Sequence, residues 1–267
     1  MKPFKYHEPK NIKEACRLLN AHGDRARIIA GGTDLVIKMK RGIESPEHVI
    51  DIKKIETLNG ITETADGFII GAATSLAAVA NHNGLKAKLP ILSEAALSVG
   101  SAQVRNLATI GGNICNAAPS ADMAPGLLIL ESNVTIADIN KEKVIPLASF
   151  FTGPGEVLLK EGELVKDIFV PFPAKDFHMI YLKHGPRRTM DCAVVGIAMG
   201  LLIERDTKVC HEARIALGAV APTPVRATKT EKIMIGKTIP EFDFENIKAT
   251  ACKEAEPISD VRASADY

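Results

Sequence analysis

The chain has 267 residues, 46% of them hydrophobic, which is enough for real cores and leaves room for one large domain or two to three small ones. Thirty-three Lys and Arg oppose 32 Asp and Glu, for a formal charge of +1. No large field therefore advertises a nucleic-acid or membrane-surface partner. No apolar run approaches the roughly 18 residues of a membrane span and the N-terminus lacks a signal-peptide core, so the default location is cytoplasmic.

In chain order, Asn11-Ile12-Lys13-Glu14 reads as a capping box opening a helix with Ile12, Ala15, Cys16 and Leu19 on its apolar face, ended by Gly23. Residues 26–30 form a short strand running into Ala30-Gly31-Gly32-Thr33-Asp34-Leu35, and helical spacing resumes over 35–40. A strand at 48–51 completes a small α/β unit. Strands follow at 60–64 and 68–71, with helices near 75–81 and 91–98. A second glycine loop comes next, Thr109-Ile110-Gly111-Gly112-Asn113, then a helix over 122–130. Strands at 133–138 and 164–171 return to the same sheet, with a tight loop at Thr152-Gly153-Pro154-Gly155 between them. Pro171-Phe172-Pro173 marks a boundary. Beyond it, strands at 177–183, 193–204 and 212–219 and helices at 226–235 and 242–254 make a third α+β unit. The expected units are 1–56, 57–173 and 174–267.

Paired glycines free the backbone to take positive φ and remove the Cβ that would block a ligand, so successive N–H groups can converge on a diphosphate. Glycine pairs also make ordinary turns, but two loops of this kind, each flanked by hydroxyl or amide residues, favour a cradle for a flavin dinucleotide. In the first loop the amides of Gly31 to Leu35 are the expected donors, supplemented by the Thr33 hydroxyl. A carboxylate facing a diphosphate would repel it, so the Asp34 side chain is expected to turn away and cap the helix at Leu35. Lys38, Lys40 and Arg41 read as a solvated helix face or, alternatively, a docking surface. In the second loop Thr109, Gly112 and Asn113 offer a hydroxyl, an open backbone and an amide. Asp122 has two readings: an N-cap, or an acceptor for ribose or ribityl hydroxyls.

The rest excludes as much as it suggests. There is no GxSxG elbow, no HExxH and no recognisable carboxylate pair, so no catalytic residue is assigned and the chemistry belongs to a cofactor. Cys16, Cys115, Cys192, Cys210 and Cys252 are scattered singly, without the spacing of an iron–sulfur or zinc motif, and each reads as a small buried hydrophobe. The seven histidines show no HxxxH or His-carboxylate spacing, so no metal is expected on this chain.

AGGTDL followed by TIGGNICNAAPSAD resembles the FAD-binding medium subunits of the molybdenum hydroxylases, bacterial xanthine dehydrogenase among them. The resemblance extends through Gln103-Val104-Arg105-Asn106, Phe151-Thr152-Gly153-Pro154-Gly155 and Ala221-Pro222-Thr223-Pro224-Val225-Arg226. It implies an α+β fold: a two-subdomain FAD-binding domain of the PCMH/VAO type, then a small C-terminal domain of antiparallel sheet and helices. It places Ala30, Gly31, Gly32, Thr33, Asp34, Leu35, Val36 and Ile37 at one FAD loop and Thr109, Ile110, Gly111, Gly112 and Asn113 with Asp122 at the other. Val165 is implied beside the flavin, and Lys183 matches a further family position; from sequence alone Lys183 reads as a solvated strand-end lysine. The implied role is electron transfer within a heterotrimer, in which a large molybdopterin subunit and a small [2Fe-2S] subunit feed FAD, and NAD or another acceptor receives the electrons. A self-sufficient FAD-dependent oxidase or reductase of related fold is the alternative. The C-terminal stretch from Ser259 to Tyr267 resembles one that family members follow with another helix.

Overall fold

The computed structural model describes residues 1–187, 190–260 and 263–267. Within the C-terminal stretch discussed above, residues 261 and 262 therefore lie outside the described residues. The first unit runs β1 (Lys5–His7), α1 (Ile12–His22), β2 (Ala26–Ile29), α2 (Leu35–Lys40) and β3 (His48–Asp51). Its strands make a parallel sheet in the order β1-β3-β2, with Lys5 and Ala26 both opposite His48. The Asn11 side chain accepts the Glu14 amide at 2.9 Å, and the Glu14 carboxylate reaches back to the Lys10 amide, one residue before the expected partner. Gly23 ends α1 at φ +51°, and Ala15 and Cys16 pack beneath it against Ile50, Ile52 and Ile55.

The second unit contains β4 (Ile61–Glu63), β5 (Gly67–Gly71), α3 (Leu76–Asn81), α4 (Asn83–Lys88), α5 (Pro90–Ser98), α6 (Ala102–Leu107), α7 (Ile110–Cys115) and α8 (Met123–Ile129). After these come β6 (Asn133–Ala137), β7 (Glu142–Pro146), β8 (Phe151–Gly153), β9 (Glu156–Val157) and β10 (Leu164–Pro171). An antiparallel sheet of order β4-β5-β10-β6-β7 puts β10 at the centre, where Ile168 faces Ile70 on one side and Val134 on the other. Helices α3, α5 and α8 cover it, burying Phe68, Ile70, Leu92, Leu127 and Phe150 in the main core.

The third unit is the antiparallel sheet β11 (Phe177–His184), β12 (Val195–Ile203), β13 (Cys210–Gly218) and β14 (Val225–Arg226), with α9 (Thr228–Met234) and α10 (Phe244–Glu254). The period-two alternation of a strand buried on both faces assigns its residues to two cores. Tyr181, Ala198 and Ala216 join the main core, whereas Ile215 and Leu217 turn to the other face with Met234 and Phe242. The α+β class expected from the sequence is the class observed.

Several local expectations change. The second glycine pair lies inside the short helix α7 rather than in an open loop. Arg226 pairs in β14 instead of opening a helix. Helices α4 and α6 and strand β7 are unanticipated; each is five or six residues, too short for a hydrophobic period to register. Cys192 and Cys252 are exposed, while Cys16 and Cys210 are buried as expected.

Gly71 closes β5 where the chain from Leu58 crosses it. An added Cβ would lie 2.4 Å from the Leu58 carbonyl oxygen, a backbone atom that cannot swing aside. Gly71→Ala should therefore cost about 1–3 kcal/mol. The denaturant midpoint of the purified chain checks this, and an unchanged midpoint contradicts the packing described.

Candidate functional site

The first glycine pair joins β2 to α2. Gly32 takes φ +70°, a conformation that favours glycine, and turns the chain into α2. Gly31 is constrained from outside: a Cβ there would lie 2.1 Å from the Leu107 carbonyl oxygen and 2.8 Å from the Ala108 Cα. The first loop thus presses its backbone on the segment that leads into α7. No hydrogen bond within the described residues takes the amides of Gly31, Gly32, Thr33, Asp34 or Leu35. Five successive backbone donors are therefore available on one loop, as the sequence suggests.

Asp34 does not cap α2. Its backbone is already right-handed helical (φ −104°, ψ −51°) and its carboxylate accepts no cap hydrogen bond. An effective N-cap needs an extended backbone to aim its side chain at the next turn, and Asp34 lacks one. Its exposed carboxylate is directed elsewhere. Lys38 is not a solvated face either: its ammonium donates to the side-chain Oδ1 of Asn116 at 2.8 Å, tying α2 to the end of α7. Ala30, Leu35 and Val36 are half-buried and Ile37 is exposed.

The second glycine pair is built differently. The amides of Ile110 and Gly111 donate to the carbonyls of Thr74 and Ala72, that of Gly112 to the Thr109 hydroxyl at 3.0 Å, and that of Asn113 to the Thr109 carbonyl. Thr109 is the N-cap, and all four amides are spent inside the chain. Gly111 permits a close approach, since a Cβ there would lie 2.6 Å from both the carbonyl oxygen and the Cβ of Ala72. Gly112 is exposed, and an added Cβ would meet only the Thr109 hydroxyl. The side-chain Oδ1 of Asn113 is buried with no partner, an orphan acceptor of the kind that native chains seldom leave.

Asp122 precedes α8 but makes no cap hydrogen bond. It is 7% exposed and accepts from the Tyr181 hydroxyl at 2.8 Å and the Lys183 ammonium at 2.9 Å. Lys183 also donates to the Ser98 carbonyl at 3.0 Å, so it is a half-buried cross-link rather than a solvated strand end. Burial raises the Asp122 carboxyl above its ordinary value, opposed by the charge and hydrogen bond of Lys183 and by the Tyr181 hydroxyl. The Tyr181 hydroxyl is itself held well above its usual value by burial and by the Asp122 charge. The opposite end of α8 is fastened too: Arg214 and Arg226 donate to the carbonyls of Ile129 and Leu128, the side a helix presents to cations. A cleft of about 420 Å³ opens beside Ser98, Lys183, His184 and Arg187. Another of about 450 Å³ lies between Lys53, Gly60, Asn106 and Thr109.

Val165 is 4% exposed and lies in the main core beside a bulge in β10, not on an open surface. Cys115 faces inward, its thiol pushed up to about 12 by burial, so it is no thiolate nucleophile. Two groups escaped the sequence reading altogether. Tyr181 gave no local signal, and its role depends on the carboxylate 59 residues upstream. His7, His22 and His48 converge although no short spacing links them.

Five unspent amides, an uncovered glycine and a buried orphan acceptor suit the diphosphate and hydroxyl groups of a dinucleotide. Comparisons with known proteins agree. Residues 2–173 match the FAD binding domain in molybdopterin dehydrogenase, and residues 180–267 match the CO dehydrogenase flavoprotein C-terminal domain. The chain belongs to the FAD-binding medium subunits of the molybdenum hydroxylases and is an oxidoreductase subunit. A xanthine dehydrogenase FAD-binding subunit from Escherichia coli is 33% identical over 264 residues, covering 98% of this chain and 89% of that one. The carbon monoxide dehydrogenase medium chain of Hydrogenophaga pseudoflava is 34% identical, covering 99% and 91%. A solved structure of carbon monoxide dehydrogenase from the same organism, in a form lacking the Mo-pyranopterin moiety of the molybdenum cofactor, aligns with a TM-score of 0.96. That alignment has 34% identity and covers 100% of this chain and 92% of the other.

Removing Lys183 leaves a buried carboxylate without its cation. Lys183→Met should cost about 3 kcal/mol at neutral pH, and Tyr181→Phe about 1 kcal/mol. The folded Asp122 value lies above the unfolded one, so its protonated form favours folding below the unfolded value and that advantage is lost as pH rises through the folded value. The Lys183→Met deficit should accordingly shrink as the pH is lowered through the acid range. Denaturant titrations at several pH values check both signs; a deficit that does not vary with pH contradicts the assignment.

Proposed function

We propose that this chain is the FAD-carrying electron-transfer subunit of a multi-subunit, xanthine dehydrogenase-like molybdenum hydroxylase. It takes electrons from a small [2Fe-2S] subunit, which receives them from a large molybdopterin subunit, and hands them to NAD or another acceptor. A cytoplasmic heterotrimer is the assembly this reading implies. The observation that carries it is the row of unspent amides from Gly31 to Leu35 against the α7 segment, within a chain matched over both domains by flavoprotein families. No helix of the described residues is long and apolar enough to cross a membrane, which agrees with a subunit working beside other protein chains.

FAD, when bound, supplies reversible acceptance and release of electrons and needs little acid–base help. The chain's own residues do the holding. The amides of Gly31 to Leu35 would hold the diphosphate, and the Thr33 hydroxyl would add a donor. Gly112 leaves the surface of α7 clear, and the side-chain Oδ1 of Asn113 would accept from a ligand hydroxyl. Thr109 and Ile110 set the position of α7. Asp122, spent on Tyr181 and Lys183, fixes the geometry of the α8 end, and Lys183 sets a cation at the edge of the neighbouring cleft. On this reading the organic substrate is oxidised at the large molybdopterin subunit.

Gly112→Val tests the reading. The added Cβ meets only the Thr109 hydroxyl, at 2.9 Å, a side-chain atom that must shift slightly; the fold should persist while FAD affinity falls at least about tenfold, equivalent to roughly 1.4 kcal/mol. Reconstitution of the flavin-free chain with FAD, followed by visible absorption and fluorescence quenching, measures this. Failure of the wild-type chain to bind FAD would sink the proposal, and unchanged affinity in the variant would remove α7 from the site.

A further inference from the structure

Away from the glycine loops, the described residues bring three imidazoles together at one end of the first unit. His7 ends β1, His22 ends α1 and His48 begins β3. Lys5 lies opposite His48 in the parallel register, so His7, two residues on, projects from the same face of the sheet as His48. The last turn of α1 covers that face and lays the His22 ring flat on His48, with centroids 3.5 Å apart and planes at 9°. His7 Nε2 stands 2.9 Å from His48 Nδ1. One potential ligand nitrogen from each of the three residues lies within 4.8 Å of the others.

We infer that His7, His22 and His48 form a three-imidazole site for a borderline divalent metal ion of the zinc type, with water in the remaining coordination position. Imidazole nitrogens about 2.0–2.1 Å from a tetrahedral zinc ion stand about 3.3 Å apart, so the His7–His48 pair is already at ligand spacing. The widest pair must close by about 1.5 Å from its 4.8 Å limit. His7 and His22 are only half-buried and can swing to do so, whereas His48, 7% exposed, is held in place. Lys5 and Arg25 stand near His48. Of the two cations, Arg25 is offset by Glu47 at 3.5 Å. Three imidazoles without a carboxylate or thiolate suit Zn²⁺, Co²⁺, Ni²⁺ or Cu²⁺ rather than Mg²⁺ or Ca²⁺. A bound ion would tie the N-terminal strand and the end of α1 to β3, the strand that pairs with β2 and so backs the first glycine loop.

The test uses the full chain without a histidine tag, loaded with FAD, stripped of metal with a chelator and then titrated with zinc sulfate. Elemental analysis after desalting counts bound zinc, and competition with a chromophoric chelator gives its affinity. One zinc per chain is expected. His7→Gln and His22→Gln should each weaken binding by more than the roughly 10–100-fold that loss of a group merely supporting a ligand costs. His178→Gln, at an exposed histidine on β11, should leave binding unchanged, and equal FAD content across the variants shows that they are folded. Absence of retained zinc in the wild-type chain overturns the proposal, as does zinc binding that survives both His7→Gln and His22→Gln.

Discussion

The contact of two backbones at Gly31 is the constraint on which the rest of the site depends. The space a side chain would need there is filled by the Leu107 carbonyl and the Ala108 Cα. The approach brings the β2–α2 loop against the α6–α7 segment, and Gly111 repeats the device one step further on, pressing α7 onto Ala72. At Gly31 the first and second units therefore meet at backbone distance with no side chain between them. The effect on hydrogen bonding is asymmetric. Residues 110–113 spend every amide on the chain, while residues 31–35 spend none. One glycine pair thus serves as structural backing and the other supplies the donors.

The second organising element is α8. Asp122 at its start is gripped by Tyr181 and Lys183 from β11, and the carbonyls at its end by Arg214 and Arg226 from β13 and β14. Arg226 is in turn fixed by Glu231 at 2.7 Å, a buried carboxylate that also accepts the Ile215 amide. The C-terminal sheet is therefore joined to the second unit by charges at both ends of one helix, with Ala198 and Ala216 keeping the intervening surface flat enough for close packing. Such pairs carry a desolvation cost that only complete hydrogen bonding offsets, so they fix geometry more than they add stability. Here the geometry they fix is that of the cleft beside Lys183.

What the sequence made legible was local. The Asn11 cap, the apolar face of α1, the turn at Gly32 and the long strands β10 to β13 each declare themselves within a few neighbouring residues. The first loop was readable for the same reason, since its donors are consecutive amides. The second was misread as open because two of its amides, those of Ile110 and Gly111, are taken by Thr74 and Ala72, almost 40 residues upstream, which announce nothing at positions 110–113. Asp34 and Asp122 both occupy positions where a cap is common, yet both have helical backbone angles that carry the carboxylate away from the helix end. Lys38, Tyr181 and the three histidines acquire their roles through contacts between distant segments, which no spacing rule reaches. Lys183 had meaning in the sequence only through family resemblance; the structure pairs it with Asp122 across 61 residues of chain.

The division of labour between the two glycine pairs is most directly tested by amide hydrogen exchange, read by mass spectrometry on the flavin-free chain with and without added FAD. Unbonded amides exchange fast and slow when a ligand takes them, whereas amides already paired change little. The account predicts strong new protection across residues 31–35 and little change across 110–113. Protection confined to 110–113, or none at 31–35 once FAD is bound, would contradict it.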